Sequence, residues 1–201
     1  MTEIFQTLQT NLANTTAIET IAVIFGILSV WYARKESILV FPTGIVSVFL
    51  YVFICIEAKL YADMGINAFY FIMSVYGWYN WTHQNGKAEE REISRTSKKE
   101  KGLIVIALIS FFGILYYVLS HYTDSNVPLF DSATTSIFLV GMWLMALKKV
   151  ENWTFWIVGD LISIPLYSYK GLVLSSFQFV IFLIIAVMGL IEWRKRIALQ
   201  E

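Results

Sequence analysis

Seven stretches of this chain are apolar for long enough to cross a lipid bilayer, and nothing else in the sequence constrains the fold as strongly. They run over roughly 17–33, 38–56, 62–82, 102–120, 131–147, 153–169 and 172–193. Crossing the hydrocarbon layer takes about 20 residues of helix, because no backbone polar group can stay unpaired there. The fifth and sixth stretches are short, and aromatic and small polar residues extend them at the interfaces. Composition agrees: 57% of the residues are hydrophobic and 15% are charged, whereas a soluble domain carries about a quarter charged residues to cover its surface. The excess apolar residues have to face lipid, since too little polar surface remains to enclose a larger core. The expected fold is all-α, a single membrane domain over 1–201 with seven transmembrane helices.

The loops set the orientation. With the N-terminus outside, Arg34, Lys35, Lys87, Arg91, Arg95, Lys98, Lys99, Lys101, Lys148, Lys149, Arg194, Lys195 and Arg196 all fall on the cytoplasmic side. Only Lys59 and Lys170 face out, so thirteen of the fifteen basic residues lie on one side, the asymmetry that decides topology. One span more or fewer would scramble this pattern. The loop over 82–101 mixes acidic and basic residues without an apolar run and reads as a solvated cytoplasmic linker. The loop over 121–131 has no basic residue and should be external. Residues 1–16 lack a basic n-region and a small-residue cleavage site, so no signal peptide is expected there; the segment reads as an interfacial lead-in.

An internal correspondence organises the spans. Arg34-Lys35 follows the first span as Lys148-Lys149 follows the fifth, and Gly77-x-x-x-Trp81 closes the third as Gly189-x-x-x-Trp193 closes the seventh. The offset is about 112–114 residues, and in this alignment Ser47 corresponds to Asp160. The expected units are 17–82 and 131–193, three helices each, joined by a linker helix at 102–120. One helix between two three-span units gives both the same orientation, a 3+1+3 parallel repeat similar to that of the sugar-transporting SWEET proteins. A ligand site is then expected between the units, near the midplane.

Asp160 is the most informative residue. It lies midway along the sixth span, where an ionised side chain costs at least roughly 2.5–3.5 kcal/mol in lipid, and no span contains a basic residue to pair with it. It must face the bundle interior, as a ligand or coupling-ion site or as a protonated acid bonded to a nearby Ser or Tyr. Trp153, Trp156 and Asp160 fall on one helix face, continued by Ser163 and Tyr167. Indoles beside a carboxylate suit a flat cation, by stacking, cation–π attraction and charge. Trp153 by itself reads as an interfacial belt residue, whereas Trp156, a turn deeper, points to the cavity.

The third span carries a second stripe, Asp63, Asn67, Tyr70, Ser74, Trp78 and Trp81. Asn67 and Tyr70 have a depth suited to hydrogen-bonding a ligand, Asp63 is near the external end, and Ser74 reads as interhelical glue. Thr43, Ser47 and Tyr51 form a similar face in the second span, and Gln178 is the notable polar residue of the seventh. Pro42 and Pro165 lie within spans two and six, where each can kink its helix. The lone Cys55 reads as packing.

Several chemistries find no footing. His83 and His121 flank loops on opposite sides, so no metal cluster is expected. No phosphate-binding loop, nucleotide motif or nucleophile elbow occurs, which argues against a pump driven by ATP and against an enzyme. No lysine falls in the seventh span to carry a retinal Schiff base. A net charge of zero gives no footing for nucleic acid. No cofactor is expected.

Trp153-x-x-Trp156-x-x-x-Asp160 resembles the W-x-x-W-x-x-x-[N/D] signature of PnuC-type transporters, B-vitamin carriers of bacterial inner membranes. Glu151-Asn152, Leu60-Tyr61-Ala62 and Tyr76-Gly77-Trp78-Tyr79-Asn80-Trp81 look similar too. The resemblance implies a homotrimer in the inner membrane and facilitated diffusion, a uniport trapped by phosphorylation of the ligand inside the cell. Carriers of nicotinamide riboside usually have glutamine at the position of Asn67 and asparagine at that of Asp160. An acceptor-only carboxylate suits a cationic ring or an amino-substituted heterocycle, so the reading favours thiamine, the ligand of the PnuT branch. Nicotinamide riboside, also cationic, is the alternative, with riboflavin or another ligand after it. A proton-coupled carrier and a non-transporting receptor or scaffold are the competing classes. The site residues this implies are Trp156, Asp160, Asn67, Tyr70, Gln178, Trp153, Ser47 and Tyr167.

Overall fold

Apolar runs broken by short polar turns fold into seven α-helices in a computed structural model that describes residues 17–57, 61–84 and 89–200. They are α1 (Ala17–Arg34), α2 (Val40–Glu57), α3 (Tyr61–Thr82), α4 (Lys98–Tyr122), α5 (Pro128–Ala146), α6 (Asn152–Tyr169) and α7 (Val173–Gln200). Each matches one expected span. Five of them (α1, α2, α4, α5 and α7) are long and apolar enough to cross a membrane. The other two, α3 and α6, have 22 and 18 residues and carry the two polar stripes, which lower their hydropathy. Residues 1–16, Lys59, Leu60 and Lys87 lie outside the described residues.

Local chemistry ends the helices. Ser97 caps α4 in a capping box with Glu100, each side chain accepting the other's backbone N–H. Pro128 opens α5 at a position where its missing N–H costs nothing. Pro42 likewise sits in the first turn of α2, so it does not kink a span as expected; Pro165 is interior to α6. The turns after α1 and α5 pass through left-handed backbone at Glu36 (φ 60°) and Lys148 (φ 58°), a conformation uncommon outside glycine.

Sequential helices pack against one another from α1 to α3 and from α4 to α7, while α3 meets α5 and α1 meets α7. Contacts made in α1–α3 recur 112 residues later in α5–α7. Phe41 meets Trp81 edge to face at 5.0 Å and 87°, and Trp153 meets Trp193 at 5.5 Å and 89°. Trp81 Nε1 donates to the Met145 carbonyl and Trp193 Nε1 to that of Ala33, both at 3.0 Å. Gly77 lies against the Phe41 ring, Gly189 against the Trp153 ring, Gly26 against the Ser47 side chain and Gly159 against the Phe138 ring. This register pairs Ser47 with Gly159 and Val48 with Asp160, so the expected match of Ser47 to Asp160 is displaced by one residue. At Gly159, the crowding comes from Phe138.

The described loop basic residues, Lys170 excepted, gather at one end of the bundle. There Lys148 and Arg196 both pair with Glu36 at 2.6 Å, Arg34 with Glu192 at 3.0 Å and Lys149 with Glu100 at 2.9 Å. The loop after α3 is not the solvated linker expected. Arg91 N–H donates to the Trp81 carbonyl, Ser94 N–H to Lys148 and Val150 N–H back to Ser94, at 2.9–3.1 Å. Ile93, 3% exposed, enters the core. A single apolar residue in a charged stretch gives no periodic signal, but it is enough to strap the segment across this end of the bundle.

A Cβ at Gly189 would lie 2.6 Å from the buried Trp153 ring, whereas one at Gly65 meets nothing. Gly189→Val should therefore destabilise the fold by about 1–3 kcal/mol, read as a lower Tm in detergent, while Gly65→Ala leaves the Tm in place.

Candidate functional site

The polar stripes of α3 and α6 converge on the bundle interior, where two cavities share a wall. The first, about 230 Å³, is lined by Asn67, Tyr70, Gln178, Ser47, Trp153 and Trp156, with Ser29 and Ser74 among its other polar groups. The second, about 270 Å³, is lined by Asp160, Tyr167, Asp63, Thr134 and Thr135, with Phe138 and Phe179 supplying aromatic surface. Tyr70, Trp156, Val30 and Phe182 border both. The expected site residues therefore all reach the interior but divide between two chambers. Asn67 and Asp160 line different ones, which adjoin at Tyr70 and Trp156.

Asp160 is 1% exposed, and its Oδ2 has no hydrogen-bond partner. Ser163, one turn on, is fully buried with an unpartnered hydroxyl, so the alternative of an acid bonded to a nearby hydroxyl is not met by this serine. No basic residue lines either cavity among the described residues. A buried carboxylate without a partner is costly, and what it lacks here is a hydrogen-bond donor or a positive charge. The surroundings are aromatic: Phe138 stacks on Trp156 at 5.5 Å and on Phe179 at 5.9 Å, and Tyr167 meets Phe179 at 4.9 Å. Ring faces carry negative potential. Carboxylate and rings together favour a flat cationic or amino-bearing group.

Other expectations shift. Trp153 is not a belt residue: it is 1% exposed, packed on Trp193 and Gly189, with its indole N–H unpartnered beside the first cavity. Trp78 is 42% exposed and lies off the inner face, which continues from Ser74 to Gly77 and Trp81. The Asn67 amide donates to the Asp63 carbonyl at 2.9 Å, leaving its oxygen and second N–H for other partners. Thr43 donates back to the Leu39 carbonyl, just before its own helix, and lines neither cavity. The sequence reading missed Phe138, Phe179 and the Thr134-Thr135 pair. A dense run of small hydroxyls, Ser132 to Ser136, marked the buried face of α5 and was the available signal.

At the far end, Lys170 pairs with Asp131 at 2.5 Å, and Ser125 donates to the same carboxylate at 2.7 Å. Among the described residues no group of three or more metal-ligating side chains occurs.

Known proteins resemble this chain along most of its length. The family model described as "Nicotinamide mononucleotide transporter" matches residues 16–195. The nicotinamide riboside transporter PnuC of Escherichia coli (strain K12) is 26% identical, over 88% of this chain and 84% of that protein. The riboflavin/roseoflavin transporter RibM of Streptomyces davaonensis is 24% identical, over 86% of this chain and 82% of its own. A crystal structure of the vitamin B3 transporter PnuC superposes with a TM-score of 0.72 at 24% identity, over 98% of this chain and 89% of that one.

Asp160→Asn keeps the shape and removes the uncompensated charge. In the ligand-free protein the gain in Tm should appear only where the carboxyl is forced to ionise, growing towards alkaline pH at about 2–4 °C per kcal/mol for a chain of this size; thermal unfolding of both proteins in the same detergent across a pH series checks it.

Proposed function

We propose a function from one premise: the chain belongs to the nicotinamide mononucleotide transporter family. It is a multi-pass membrane protein, and in our reading it carries nicotinamide riboside, or a closely similar cationic vitamin, without altering it chemically. The observation that carries this reading is the unpartnered Asp160 carboxylate in an aromatic cavity. The positive pyridinium ring of the riboside would stack beside Trp156 with its charge near Asp160. Tyr70 and Trp156, bordering both chambers, would let the rest of the ligand reach the hydroxyl and amide groups around Asn67, Ser47 and Gln178.

The architecture we propose is the 3+1+3 parallel repeat, with all seven helices spanning the membrane and α4 as the linker. The contacts repeated at an offset of 112 residues support it. The basic end, with its ion pairs and the 89–97 strap, is placed in the cytoplasm with the C-terminus, and the N-terminus outside, as the positive-inside rule favours. Placement in a bacterial inner membrane and assembly as a homotrimer follow from the family resemblance.

Thiamine, favoured by the sequence reading, becomes the second reading. Relatives named for nicotinamide riboside support the riboside instead. What still favours thiamine is that Asp160 accepts hydrogen bonds without donating them, which suits its amino-substituted ring.

Purified protein should take up labelled nicotinamide riboside in proteoliposomes, with weaker titration heats for thiamine than for the riboside. Tight thiamine binding without riboside binding would reverse that order. Trp156→Ala should weaken binding about tenfold, the loss of one partly desolvated cation–π contact. Uptake of neither compound would contradict the reading.

A further inference from the structure

The two halves repeat their contacts at an offset of 112 residues, yet beside the cavities the pattern of large and small is inverted. In the first half Gly26 of α1 faces the short Ser47 side chain of α2, whose hydroxyl donates to the Ala22 carbonyl at 2.8 Å. At the same offset this pair becomes Phe138 of α5 and Gly159 of α6. The bulk has moved to the other helix and grown to a benzyl group, whose ring a Cβ at Gly159 would strike. Gly26 and Ser47 both line the first cavity and leave space beside them. In the second cavity the corresponding space is taken by Phe138.

Neighbouring rings hold Phe138 in place. It stacks on Trp156 at 5.5 Å and 28°, and lies almost parallel to Phe179, at 5.9 Å and 3°. Trp156 in turn lies over bare backbone at Gly141, where a Cβ would sit 3.5 Å from the indole. The row Trp156–Phe138–Phe179 thus walls the cavity that Asp160 also borders. These separations are those of rings in direct contact, so no flat group fits between them.

We propose that Phe138 sets the size of ring system this carrier accepts. Resting on the transport reading above, this gives that site its selectivity. Phe138 fills the place that a second or third fused ring would need. The cavity therefore admits a single flat cationic ring beside Trp156 and Asp160, and rejects a fused one of the same charge. Cutting Phe138 back to alanine would leave a slot with Trp156 on one side and Phe179 on the other. Such a slot takes a further flat ring whatever its hydrogen-bonding pattern, because every aromatic ring has a π face to stack.

The test measures binding of labelled nicotinamide riboside to the purified full-length protein, with N-methylacridinium, a flat cation of three fused rings, as competitor. The wild-type protein should bind the riboside and keep it in the presence of the acridinium. Phe138→Ala should still bind the riboside, and the acridinium should now displace it, with affinity raised about tenfold to a hundredfold, the size of a relieved packing clash. Phe138→Tyr keeps the ring and should gain nothing. Phe138→Leu keeps an apolar group against Gly159; it should gain in the same direction by less, and it carries the test should the alanine variant fail to fold. A general loosening of the bundle would weaken both compounds, whereas a size filter changes their ratio. Riboside binding by the variants with no gain for the acridinium overturns the filter and leaves the transport reading standing, as does equal binding of the two compounds by the wild-type protein. A wild-type protein that binds no riboside overturns the transport reading and the filter together.

Discussion

Two indole N–H groups hold the two halves of this bundle together at one end, and the geometry above them depends on that pairing. Trp81, at the end of α3, donates to the last turn of α5, and Trp193, in α7, donates to the last turn of α1. Each bond is worth only about 1 kcal/mol net. Its position matters more, because it ties a carbonyl in the last turn of one half, which also accepts the N–H of the left-handed turn residue (Glu36 to Ala33, Lys148 to Met145), to a tryptophan of the other half. The indoles meet each other at a tilt and meet Phe41 and Trp153 edge to face, and these rings require bare backbone at Gly77 and Gly189. Glu36 and Lys148, both left-handed and ion-paired to each other, seal the outside of this layer. The bundle is therefore closed at its basic end and hollow above it.

The hollow is where packing gives way to function. Most of the interior obeys the rule that buried polar groups find partners: Ser47 donates to Ala22, Ser29 to Val40 and Asn80 to Ala146. Along α6 the rule fails for one atom each of Asn152, Trp153, Asp160 and Ser163. Local violations of this kind are expected at functional sites, where stability is given up for binding. All of them lie on α6, where Trp153 borders the first cavity and Asp160 the second.

The bundle itself was legible in the sequence, because spans are long and the lipid imposes a strong apolar signal. The spacing of Gly77 and Trp81 against Gly189 and Trp193 also showed the correspondence between the halves. Finer registers were less readable. A one-residue slip moved Asp160's counterpart from Ser47 to Val48, since sequence similarity alone did not reveal that Gly159 must make room for Phe138. Trp78 looked as if it continued the polar stripe, but a period of 3.6 carries the inner face to Gly77. The strap over 89–97 was hidden because one buried Ile93 among charges carries no periodicity. The choice between thiamine and nicotinamide riboside rested on Asn67 and Asp160, and a carboxylate at 160 suits either cationic ligand.

The central claim is that Asp160 and the surrounding rings hold the positive part of the ligand. A structure of the protein determined with nicotinamide riboside bound tests this most directly. The account predicts the pyridinium ring against Trp156, with the Asp160 carboxylate its nearest charged neighbour. Ligand confined to the chamber around Asn67 and Gln178, with Asp160 still unpartnered in an empty second cavity, would contradict it.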